Sequence, residues 1–67
     1  MTLIREPHIP EPDAFYAELI QNQADLSDAQ AEMMVAKFAL ILANHVGDRA
    51  VLSEALALAR ANTLAAA

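Results

Sequence analysis

From Asp13 onward the chain has no proline and a single glycine, Gly47. Proline and glycine interrupt helices more strongly than any other residues, so almost the whole length holds one built-in break. The three prolines, Pro7, Pro10 and Pro12, all fall near the start. The composition is 57% hydrophobic but only 4% aromatic, and much of the apolar content is alanine and leucine, which cost a helix least. Alternating β-branched runs, the mark of strands, are missing. The pattern predicts an all-α fold: a small three-helix unit with a long antiparallel helical hairpin, preceded by an extended proline-containing arm.

The arm covers residues 1–11, where Leu3, Ile4 and Ile9 stand between prolines that fix an extended backbone and remove amide donors. It is either a disordered tail or a strap laid over a partner. A single helical domain, 12–64, follows, with helices over about 12–23, 28–46 and 49–63. The first helix starts at Pro12, with Asp13 at the positive end of its dipole, and carries Phe15, Tyr16, Leu19 and Ile20 on one stripe. The second opens on Ser27-Asp28-Ala29-Gln30, the spacing of a capping box. At 100° per residue, Met34, Val35, Phe38, Ile41, Leu42 and Val46 share one arc, the expected core face, and His45 lies within it.

The opposite side of the second helix is apolar too, with Met33, Ala36, Leu40 and Ala43 at spacings of three, four and three. A helix apolar on two sides is normally covered on two sides, so Met33 and Leu40 become candidate contacts for another chain. The third helix is expected to start at Asp48, a good N-cap, and to bury Leu52, Ala55, Leu56 and Ala59 with Val51 and Leu58 alongside. Its last residues, Leu64 to Ala67, are expected to fray.

The only cluster with catalytic vocabulary is Asn44, His45, Asp48 and Arg49 around the glycine. A His-Asp pair can orient a general base and an arginine can hold an anion. The local grammar points elsewhere: Gly47 suits a left-handed helix end, Asp48 caps the next helix, and His45 suits the negative end of the helix before it. Arg49 fits this grammar poorly, because a cation in the first turn of a helix opposes the dipole. A compensating carboxylate is expected from Asp48, from the first helix or from a partner, so Asn44, His45 and Arg49 join Met33 and Leu40 as candidate contacts.

Other chemistry is disfavoured. Neither His8 nor His45 has a companion at metal-ligand spacing, there is no cysteine, and one glycine cannot build a phosphate-cradling loop. No catalytic residue, cofactor or metal is expected. A net charge of −5, from nine acidic and four basic groups, repels nucleic acid and anionic lipid. The longest apolar run, Phe38 to Ala43, is too short to span a bilayer, and the start of the chain lacks the pattern of a secretion signal, so a cytoplasmic protein is expected. A chain of 67 residues also makes a marginal core by itself.

Pro-Asp-x-Phe-Tyr at Pro12 to Tyr16, Leu-Ser at Leu26 to Ser27, and Leu-Ala-Asn-His-Val-Gly-Asp-Arg-x-Val-Leu-x-Glu-Ala-Leu from Leu42 to Leu56 together resemble a known family. It is the family of short proteobacterial proteins catalogued as domain of unknown function 2783. The resemblance covers roughly residues 10 to 61 and leaves out the arm. It implies a companion of flavin-dependent monooxygenases of the aromatic-hydroxylase type, and carries over no catalytic residue. The expectation is therefore a non-catalytic accessory or assembly subunit that binds a larger bacterial oxidoreductase. The alternative is a self-associating helical bundle, a homo-oligomer with a structural or regulatory role.

Overall fold

The computed structural model describes residues 1–66, which form three helices and, among the described residues, no strand. Helix α1 spans Pro12–Gln21, α2 Asp28–Val46 and α3 Arg49–Ala66. The expected all-α class is the observed one. Helix α1 is shorter than the expected 12–23: it stops at Gln21, and Asn22 closes it by donating its side-chain amide to Glu18 O at 2.8 Å. Helix α3 is longer, running helical through Leu64, Ala65 and Ala66 where fraying was expected. Ala67, the last residue of that expectation, lies outside the described residues.

Local chemistry explains where the helices begin and end. At the start of α2 the Gln30 amide donates to Ser27 Oγ at 3.1 Å, and the Ser27 amide donates to Gln30 Oε1 at 3.0 Å. Two amides that would otherwise lack partners are thus satisfied reciprocally. Gly47 ends α2 at φ 67°, ψ 10°, with its amide on Ala43 O at 3.0 Å. Helix α3 begins at once, because Asp48 Oδ1 accepts the amides of Ala50 (3.0 Å) and Val51 (3.1 Å). Helix α1 lacks this kind of help: Glu11, ahead of Pro12, sits at φ 48°, ψ 59° and makes no side-chain cap.

Packing is sparse. Val51 is the one buried side chain among the described residues. Met34, Phe38, Val46, Leu52 and Leu58 are half-buried, as are Phe15 and Leu19 of α1. The Phe15 and Phe38 rings stack with centroids 6.2 Å apart and planes at 28°, which joins α1 to α2. Helices α2 and α3 meet at the Gly47–Asp48 link but do not pack backbone-close along their lengths, so the expected hairpin is an open one.

This openness corrects the expected core face of α2. Val35, Ile41 and Leu42 were assigned to it, but they are 44%, 66% and 45% exposed, and His45 is exposed as well. On α1, Tyr16 and Ile20 leave the expected stripe for solvent. The radius of gyration is 13.5 Å; a compact domain of this length has about 11 Å. The accessible surface is 5953 Å²; a compact monomer of this mass exposes about 4,100 Å².

The arm is neither helical nor free. Arg5 reaches the Glu54 carboxylate of α3 at 2.9 Å, and the Met1 ammonium lies 3.6 Å from Asp48 Oδ2. Leu3 is half-buried between these two ties, while Ile4 and Ile9 stay exposed.

Candidate interaction surface

Because α2 and α3 stand apart beyond their link, the sides that face each other form a groove. Ala36, Ala39, Leu40 and Ala43 line one wall, and Leu52, Ala55, Leu56 and Ala59 the other. Ala43 and Leu52 lie near the link and Ala36 and Ala59 away from it, so the two walls run in opposite directions. Small alanines open the floor, while Leu40 and Leu56 project at 70% and 73% exposure. Contiguous exposed apolar surface is a common feature of association sites.

Arg49 and Ser53 supply the groove's polar edge. Among the described residues no carboxylate lies within salt-bridge distance of Arg49, so neither Asp48 nor an acid of α1 compensates it. The two sources of compensation expected within the chain are therefore not used. Its guanidinium remains available beside an apolar surface.

The residues singled out from the sequence do not all converge here. Leu40 and Arg49 share the groove, whereas Met33 is 56% exposed outside its lining. Asn44 and His45 are exposed on the last turn of α2, also outside the lining. Asp48 spends Oδ1 on the Ala50 and Val51 amides and turns Oδ2 toward the Met1 ammonium, so it does not orient His45. The Val51 amide, with the Met1 charge and the Ala50 amide adding to it, holds the Asp48 carboxyl below its ordinary value, against a partial loss of solvation. Ser27, Gly47 and Asp48 shape the helix ends.

Sequence reasoning placed Leu52, Leu56 and Ala59 of α3 inside the core, and the structure puts them on the groove wall. Their signal was present as the wide apolar arc of α3. A second, smaller hollow lies between α1 and α2, floored by Phe15, Leu19, Met34 and Phe38 with Lys37 and Glu18 at its margin. Among the described residues no three histidines or acidic groups gather as a metal site would require. Among them too, no helix is long and apolar enough to cross a membrane.

No curated protein matches the chain, and no solved structure does. One family profile matches residues 3–61, and so takes in most of the arm that the sequence resemblance had left out. By that match over nearly its whole length, the chain belongs to the family described as protein of unknown function (DUF2783).

Proposed function

We propose that this chain is a non-catalytic association module, an accessory or assembly subunit whose folded surface is completed by another protein. The observation that carries this reading is the mismatch between its size and its exposure. A chain that among its described residues buries only Val51 and shows 5953 Å² to solvent exceeds the compact expectation by nearly half. The excess includes an apolar groove with an uncompensated arginine at its edge, a combination that suits a protein partner better than a small substrate.

The family resemblance directs the choice of partner toward a larger bacterial oxidoreductase, with a flavin-dependent monooxygenase as the first candidate, met in the cytoplasm. In that role the chain binds and positions; it supplies no reacting group. The test is affinity isolation of the tagged full-length chain from its native host under low salt, followed by intact-mass and flavin absorbance measurements. Stoichiometric recovery of a flavoprotein supports the reading. Recovery of the chain alone at native expression levels, folded and monomeric, would overturn it.

A further inference from the structure

We infer that the α2–α3 groove is closed by a second copy of this chain, in an antiparallel two-fold dimer that sets Arg49 of each copy against Glu32 of the other. This rests on the reading of the chain as an association module and names the partner for one of its surfaces.

Area is the first argument. The surface beyond that of a compact monomer is about 1,800 Å² per chain. A stable interface of standard size removes about 800 Å² per partner, and obligate homodimers remove more. The spare surface of one chain thus exceeds what one side of a standard interface removes, so a second copy of this size is large enough to cover it.

Charge placement is the second. The groove does not end at Ala36, since Ala36 also lines the neighbouring hollow that contains Glu32. Glu32 stands one helical turn before Ala36 on the same side of α2, and among the described residues it has no ion-pair partner. One continuous face thus has a lone acid at one end, apolar side chains in the middle and a lone arginine at the other.

Helix geometry fixes how two such faces match. Glu32 lies about 21 Å along the axis from the Val46 end of α2, where Arg49 begins the next helix. A two-fold axis passing beside Leu40 is close to the midpoint of that span. It brings Leu40 against Leu40 of the second copy and places each Glu32 level with the other copy's Gly47–Arg49 corner. Both ion pairs then form at once, because an isologous contact is made twice. The parallel alternative would bring the two arginines together near the axis, and like charges across an interface disfavour a mode of assembly. Ala36, Ala39 and Ala43 keep the walls low enough for the second copy's leucines to enter.

Sedimentation equilibrium of the full-length protein, with circular dichroism on the same samples, tests this. The wild-type chain is expected at twice its 7.2 kDa mass. Arg49→Glu and Glu32→Arg, both at exposed positions, are each expected to weaken the dimer by about tenfold at low salt. The double variant, with the charges exchanged, is expected to recover most of that loss. A wild-type protein that stays a helical monomer at hundreds of micromolar overturns the inference, and so does a double variant no tighter than the singles. A folded monomer that still captures a flavoprotein in the native host would remove the dimer and leave the association module standing. If only Leu40→Glu were made, misfolding could mimic dissociation; the charge exchange avoids that ambiguity.

Discussion

Asp48 Oδ1 accepts the amide of Val51 at 3.1 Å, so the residue that caps α3 holds the backbone of the one side chain the described chain buries. Start signal and core are joined in four residues. Replacing Asp48 with alanine is expected to lower the melting temperature by about 5 °C through loss of the cap, and Asp48→Asn, which keeps an acceptor, by less. Thermal melts followed by circular dichroism check this; equal losses for both variants would mean that the charge and not the acceptor matters.

The same carboxyl sets a pH dependence. Its value is lowered, chiefly by the Val51 amide, so the folded state prefers the ionised form. By linkage its contribution is present above the ordinary aspartate value and fades as pH falls below that value toward the lowered one. Melts between pH 5 and about pH 2.5 are expected to show the wild-type protein losing its advantage over Asp48→Ala at the acid end. A constant gap across that range would contradict the assignment.

Val51 and Leu56 are both apolar residues of α3 but have opposite surroundings, buried and 73% exposed respectively. Val51→Ala removes two buried carbon groups' worth of packing and is expected to cost about 2 kcal/mol. Leu56→Ala should leave the stability of the isolated chain within about 0.5 kcal/mol while weakening association. Chemical denaturation and sedimentation on each variant separate the two effects. Equal stability losses would mean that Leu56 is covered within one chain.

Much of this local chemistry was legible in the sequence. Ser27 and Gln30, Gly47 and Asp48 act through neighbours a few positions away, and spacing alone determines such contacts. What angular periodicity could not give is which apolar side becomes covered. On α2 it marked Ile41 and Leu42 as core because they share an arc with Phe38, yet only part of that arc meets α1, a helix of 10 residues. Arg49 stood out as a misfit by dipole sign, and its place at the groove edge could be known only from how far α3 leans from α2. The arm's ties to Asp48 and Glu54 were invisible for a similar reason, being contacts across most of the chain.

Among the described residues three stand at positive φ: Glu11 (48°), Asp25 (66°) and Gly47 (67°). Gly47→Ala is expected to cost about 1–2 kcal/mol. An added Cβ would meet only Asn44 O, at an ordinary 3.8 Å, so that cost is conformational rather than a clash. Glu11→Gly relieves a left-handed residue held in place ahead of Pro12, and should change stability by less than about 1 kcal/mol in either direction, since glycine also loosens the unfolded chain. Denaturation midpoints of the two variants check the contrast.

The Arg5 to Glu54 pair is exposed at both ends, 58% and 47%. Arg5→Ala is expected to alter global stability by less than about 0.5 kcal/mol. Its effect should appear instead as faster proteolytic cleavage within residues 1–11, with the wild type approaching that rate at high salt. Cleavage at an unchanged rate would show that Leu3, and not the ion pair, holds the arm.

In the proposed dimer this chain reaches its full stability only when a second copy of itself covers α2 and α3. The concentration dependence of thermal unfolding tests it most directly, because anything that binds only the folded form raises the midpoint as its concentration rises. The expected result is a midpoint that climbs steadily over a hundredfold range of protein concentration, together with the average mass. A sharp transition at one temperature throughout that range, at the mass of one chain, would contradict it.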